Sequence, residues 1–379
     1  MSANQAINNT IREAGLPDLE ALLDIENRCF SADKLSRRNF RYMLTKAKAI
    51  TLIHEINGKP AGYALVLFHA GTALARLYSI ATLPEFRGLG LGKQLLETAE
   101  RTAREHDCIA IRLEVRHDNH TAINLYRKFG YRELNRLEDY YEDHVDGVRM
   151  EKSLVPHLNS ELVRVPYYQQ TLEFTCGPAA LMMAMKSLDP DMMLDRKLEL
   201  RLWREATTIF MTAGHGGCGP FGLALSAYQR GFDVEVIVKD EAALFVDSVR
   251  SPEKKEVVAL VHEDFLEQIA ACDIKVHHNA VSVADLEAVF QAGGVPVVLI
   301  SSYRLYQEKV PHWVVVTGFD ARFIYLHDPF VDYEFGRTST DCMNLPILKE
   351  EFEGMARYGK SGQRAVVILR RPLPQPQHS

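Results

Sequence analysis

No two of the chain's cysteines form a Cys-x-x-Cys pair: Cys29, Cys108, Cys176, Cys218, Cys272 and Cys342 lie scattered along 379 residues. A disulfide framework is therefore not expected, and reduced thiols are. Also missing is an apolar run of the roughly 18–20 residues that a membrane crossing needs. The opening stretch MSANQAINNTIREAG is polar, without the basic and apolar regions of a secretory signal. Basic excess is lacking too. The net charge is -6, with 22 Lys and Arg against 21 Asp and Glu in residues 1–153, and 22 against 29 in residues 154–379. Binding by counterion release from phosphates requires such an excess, so neither a nucleic-acid nor a membrane partner is expected. There is no internal repeat and no extended low-complexity tract. What is left is a globular enzyme working in the cytoplasm.

The length predicts two or three domains. Residues 1–153 alternate helix and strand patterns, which predicts an α/β sheet. Helices are expected near Pro17–Phe30 and Lys34–Lys48, then strands at Ala49–Ile56 and Ala61–Phe68 around the turn Asn57-Gly58-Lys59-Pro60. Asn-Gly between apolar runs is a strong hairpin signal. A strand at Ala73–Ala81, a helix at Gly92–His106, a strand at Ile109–Val115 and a helix at His120–Phe129 follow. Prolines at 156 and 166 mark a linker over residues 154–165. Residues 166–371 open with a helix and end in strands at Val295–Ile300, Trp313–Phe319, Phe323–His327 and Ala365–Arg370, an α+β order. The Pro- and Gln-rich residues 372–379 read as a disordered tail.

In the first half, Arg87-Gly88-Leu89-Gly90-Leu91-Gly92 joins a strand to a helix. Glycines let the backbone approach a phosphate, and the N–H groups at a helix start attract it, so a pyrophosphate is the natural guest. Downstream, Leu113-Glu114-Val115-Arg116 ends a strand, and Asn119, Ala122, Leu125 and Tyr126 lead to Lys128-Phe129-Gly130-Tyr131. Together these motifs resemble the GNAT acetyltransferases, most closely those that acetylate the N-terminal alanine of a ribosomal protein. The resemblance covers roughly residues 10–153 and implies acetyl-CoA as cosubstrate. It assigns backbone contacts to the cofactor at Ile80, Thr82 and the run Arg87, Gly88, Leu89, Gly90, Leu91 and Gly92, with a further contact from Asn119. It makes Glu114 the general base for the acceptor amine and Tyr126 the acid for the leaving thiolate. Taken singly, a glutamate at a strand end is an ordinary salt-bridge partner, and a tyrosine on a helix an ordinary core residue.

In the second half, Cys176-Gly177-Pro178 opens an apolar helix, where the helix dipole favours a thiolate. Gln170, six residues earlier, offers a side-chain N–H to an oxyanion. His312 begins an apolar strand, and Asp328 follows the next one; antiparallel neighbours bring the two together. The order Gln–Cys–His–Asp resembles the papain-like peptidases that cleave bacteriocin leader peptides after double glycines. The resemblance spans about residues 160–370 and implies Cys176 as nucleophile, His312 as base and acid, Asp328 as orienting group and Gln170 in the oxyanion hole. Those peptidases accompany membrane transporters, and this chain has no such span, so leader specificity is not carried over.

Cys218 is the rival nucleophile, because Gly217-Cys218-Gly219-Pro220 repeats the Cys-Gly-Pro string, but Thr212 stands where the glutamine is needed. That loop reads as a pocket wall with His215 and Cys218 as lining; His262, His277 and His278 read as surface or loop residues. No metal is expected, since no ligand set has familiar spacing. The sequence thus predicts a GNAT fold followed by a papain-like fold, acetylating and cleaving a peptide or protein substrate. The alternative is an acetyltransferase whose second half binds peptide without catalysis.

Overall fold

A computed structural model describes residues 9–155, 165–208, 216–239, 244, 251–333, 337–359 and 362–372. The chain divides into two compact units, Met1–Leu158 and Asn159–Ser379. Most of the expected linker, His215 and the tail after Pro372 lie outside the described residues.

The first unit runs β1 (Asn9–Glu13), α1 (Leu19–Cys29), α2 (Arg37–Thr45), β2 (Ala49–Ile56), β3 (Lys59–Phe68), β4 (Leu74–Thr82), α3 (Leu91–Glu105), β5 (Ala110–Arg116), α4 (His120–Lys128), β6 (Arg132–Leu137) and β7 (Gly147–Ser153). The sheet order is β1-β2-β3-β4-β5-β7-β6. The β2–β3 turn holds Asn57 at φ +50° and Gly58 at φ +73°, with Ile56 opposite Lys59, the left-handed pair a two-residue hairpin requires. Alternation along β3 feeds two cores. Ala64 and Val66 join Leu95, Leu96 and Ala99 of α3 on one face. Tyr63, Leu65 and Leu67 join Leu22 and Ile25 of α1 and Phe40 of α2 on the other. Strands β1, β6 and β7 add to the four that the sequence pattern predicts for this half.

One seam positions the site. β4 and β5 are parallel neighbours over only three pairs, Leu74↔Ala110, Ala75↔Ile111 and Arg76↔Arg112. β4 continues to Thr82 and β5 to Arg116, so beyond Arg76 the strands part.

The second unit runs α5 (Cys176–Leu188), α6 (Arg196–Ala206), α7 (Pro220–Tyr228), β8 (Phe232–Val238), α8 (Pro252–Ala270), β9 (Lys275–His278), α9 (Val283–Gln291), β10 (Val295–Ser301), α10 (Tyr303–Tyr306), β11 (Pro311–Phe319), β12 (Phe323–His327), β13 (Leu345–Leu348), α11 (Lys349–Met355) and β14 (Ala365–Pro372). Its sheet order is β13-β12-β11-β10-β14-β8-β9. All pairs are antiparallel except β8–β9. α5 is apolar almost all round, with Gly177 to Met185 buried, and α7 likewise, so both sit inside the core against the sheet. His277 and His278 are surface residues, as expected, but they lie on strand β9 rather than in a loop, and His277 Nε2 meets Glu235 Oε1 at 2.7 Å. No described helix is long and apolar enough to cross a membrane.

Two candidate active sites

In the first unit the parted edge of β4 carries Ile80 and Thr82, whose other edge pairs with Ala64 and Gly62 of β3. Arg87 to Gly92 follow directly. Gly88 and Gly90 hold φ +81° and +82°, with open space where a Cβ would stand. Gly90 caps α3, and the amides that open the helix have no partner within it. An open strand edge beside a glycine-rich helix start fits an extended, phosphate-bearing cofactor such as acetyl-CoA.

Glu114 and Tyr126 lie beyond the same seam. The Glu114 side chain is only 5% exposed, its Oε2 taking Arg76 Nε at 3.0 Å and Nη2 at 2.9 Å, with Arg149 Nε 3.6 Å from Oε1. Arg76 also reaches the Tyr140 hydroxyl at 3.3 Å. Buried arginines in apolar strands were the unused sequence signal for this cage. Tyr126 is buried in α4, 5.6 Å from the Tyr131 ring, and burial pushes its phenol above the ordinary range, which keeps it protonated. Asn119 Oδ1 accepts from Ala122 N–H at 3.1 Å, so it caps α4 in addition to any cofactor contact.

In the second unit Cys176 opens α5 and His312 lies in β11, its imidazole close enough to the Cys176 sulfur for each to act on the other's charge. His312 Nε2 donates to Asp328 Oδ1 at 2.6 Å. Burial alone would push the Cys176 thiol up. The His312 charge, helped by a Trp313 backbone contact, overcomes it and holds the thiol below its ordinary 9.0. His312 is pulled down by burial but pushed up further by Asp328 and Cys176, to about 10. Burial would raise the Asp328 carboxyl; His312, Tyr306 and the Phe330 amide hold it low. A thiolate–imidazolium pair is the ground state this arrangement favours.

Gln170 Nε2 donates to Leu172 O at 2.8 Å, leaving one amide hydrogen uncommitted, and its own N–H bonds Pro329 O at 2.9 Å. The loop before Cys176 is moored by Glu199 of α6, fully buried. Its carboxylate accepts from Thr171 N at 2.8 Å, Thr171 Oγ1 at 2.7 Å, Tyr168 Oη at 3.0 Å and Thr175 Oγ1. Nothing local in the sequence marks Glu199.

Cys218 has the opposite environment. It is 3% exposed and burial pushes its thiol up, which keeps it protonated. It packs behind the first turn of α5, where a Cβ added to Gly177 would stand 3.3 Å from Cys218 Cβ. Trp313 Nε1 donates to Cys218 O at 3.0 Å and Trp203 Nε1 to Gly216 O at 2.8 Å, so both indoles clasp the same segment.

Residues 165–370 match the Peptidase_C39 like family, and residues 19–131 match the acetyltransferase (GNAT) family. An N-alpha-acetyltransferase of Sulfurisphaera tokodaii is 30% identical over 151 residues, covering 37% of this chain and 90% of its own. The chain belongs to both families. The ribosomal protein bS18-alanine N-acetyltransferase of Escherichia coli is 30% identical over 141 residues, 35% of this chain and 87% of its own. A crystal structure of the ribosomal-protein-S18-alanine N-acetyltransferase from Escherichia coli aligns at 28% identity and TM-score 0.37, covering 40% of this chain and 98% of that one. The GNAT half is an acetyltransferase by family. The C39-like half is the one whose chemistry rests on its side chains.

Proposed function

We propose that the chain is a bifunctional enzyme. Its residues 1–153 acetylate the amine of a peptide or protein, an N-terminal α-amine first among them, as the names of its relatives suggest. Its residues 166–371, in a papain-like arrangement, attack a peptide amide through Cys176. The observation that carries the second half is the series Cys176, His312 and Asp328, a half-buried thiol backed by a buried imidazole and carboxylate, with the thiol held low.

The C39-like half works by its own residues. The Cys176 sulfur attacks the amide carbonyl carbon. The amide oxygen takes up the charge, met by the spare Gln170 hydrogen and by first-turn amides of α5. The His312 imidazolium gives its proton to the departing nitrogen, leaving an acyl-thioester on Cys176. Neutral His312 then takes a proton from water, whose oxygen releases the acid and frees the thiol. Asp328 keeps the imidazole turned toward the sulfur.

In the GNAT half, bound acetyl-CoA supplies an acetyl thioester. Glu114 receives the proton of the acceptor amine, and Tyr126 holds a proton for the leaving sulfur. The Gly88–Gly92 backbone and the free β4 edge orient the donor.

Expression of the Cys176→Ala variant, followed by mass spectrometry of co-purifying peptides, tests the peptidase reading. Capture of peptides that wild-type enzyme then shortens supports it; peptides left intact by wild-type enzyme refute it. Thiol release from acetyl-CoA over a peptide library tests the other half. The non-catalytic alternative requires Cys176 to alkylate no faster near neutral pH than an ordinary thiol, with or without His312.

A further inference from the structure

Asp328 has no exposed surface, so its two oxygens depend entirely on protein donors. Oδ1 takes His312 Nε2 at 2.6 Å and the Phe330 N–H at 2.9 Å. Oδ2 is held at 2.5 Å by the hydroxyl of Tyr306, a residue that the sequence reading did not select. The same hydroxyl lies 3.2 Å from Phe330 O, which fixes the direction from which it approaches.

Tyr306 is itself braced. The Arg337 guanidinium lies over its ring at 4.5 Å, and Arg337 Nη2 donates to Leu305 O at 2.6 Å, tying down the α10 turn. A cation over the ring draws electron density from the phenol and makes its O–H a stronger donor. The Phe330 and His312 rings stand edge-on to Tyr306 at 5.2 Å and 6.2 Å, so the ring has little freedom to turn away. Burial pushes the phenol well above its ordinary range, so it stays a donor wherever the enzyme is folded.

We propose that Tyr306, braced by Arg337, is a positioning residue of the Cys176 centre. By anchoring Asp328 Oδ2, it fixes the carboxylate plane so that Oδ1 faces His312 Nε2. The proposal rests on the reading of Cys176 as nucleophile. Without Tyr306, Oδ2 is a buried acceptor with no partner, the carboxylate is free to rotate, and support for the imidazolium weakens. The thiolate that depends on the imidazolium then forms only at higher pH.

The test uses the full chain. Thiolate ultraviolet absorbance and iodoacetamide labelling of Cys176 are followed against pH, with a Cys176→Ser background subtracted. In Tyr306→Phe the acid limb is expected to move up by about one pH unit, the scale of losing one hydrogen bond to a charged group. Thermal stability also falls, because Oδ2 is left unpaired, so it is the limb and not the melting temperature that separates the two roles. A merely structural role would lower stability and leave the limb in place, and that result overturns the proposal. If Tyr306→Phe does not fold, Arg337→Gln removes the brace alone; a smaller shift in the same direction supports the proposal and an unmoved limb overturns it. A wild-type limb at the ordinary thiol value, unchanged by His312→Ala, overturns the nucleophile reading and this inference with it. A wild-type limb below the ordinary thiol value that rises in His312→Ala, with an unshifted Tyr306→Phe limb, overturns this inference alone.

Discussion

Replacing Glu199 by leucine strips the loop before Cys176 of its mooring. Four donor contacts end on this buried carboxylate, from Tyr168, Thr171 (twice) and Thr175. At about 1.5 kcal/mol for each bond to a charged acceptor, roughly 6 kcal/mol is at stake. Burying a leucine returns about 2 kcal/mol, which leaves a net loss of about 4 kcal/mol. The chain has two tryptophans, Trp203 and Trp313, both in the second unit, so intrinsic fluorescence reports that unit alone. With a urea dependence of roughly 3 kcal/mol/M for a unit of this size, the fluorescence midpoint falls by about 1.3 M. Glu199→Gln keeps one acceptor oxygen and falls by less than half as much. In both variants peptide cleavage drops more than iodoacetamide labelling of Cys176, because labelling needs no oxyanion donor. A midpoint within about 0.3 M of wild type in Glu199→Leu would refute the claim that the carboxylate holds this loop.

Four further outcomes are expected. Labelling of Cys176 persists below the ordinary thiol value of 9.0, since that pKa is lowered; the imidazolium, raised to about 10, is lost only as pH climbs through that value, so cleavage falls there. Raised His312 also stabilises the fold, fully below its unfolded pKa near 6.5 and progressively less as pH rises toward about 10, which urea midpoints against pH check. Gly90→Ala, at φ +82° with no clashing neighbour, raises the KM for acetyl-CoA about fivefold through backbone strain of roughly 1 kcal/mol, read in a thiol-release assay. Tyr126→Phe lowers kcat about a hundredfold with little change in KM, as loss of a proton donor used only in the transition state requires.

What the sequence made legible was local or strongly ordered. Asn57-Gly58 specified its own turn because both residues tolerate positive φ. Cys176 could be singled out by its place at the head of an apolar helix, and His312 and Asp328 by adjacent strands. The residues missed act across distance. Glu199 binds a loop about 28 positions upstream, Tyr306 an aspartate 22 positions on, and Arg76 a glutamate 38 positions on. A charge buried by such pairing looks, in one dimension, like any surface charge. The exposed edge strand β9 was unreadable for a related reason: Lys275-Val276-His277-His278 has one apolar residue and no face to bury.

The first unit's sheet has a mechanical weak point. Three residue pairs join β4 to β5, against seven between β5 and β7. The two plates on either side can breathe about that short stitch, and amide exchange will quicken toward its open end. Whatever wedges between the parted strands and bonds to their bare edges closes the sheet as a missing rung closes a ladder. Heat resistance and protease resistance of this half will therefore rise and fall with the filling of its cleft.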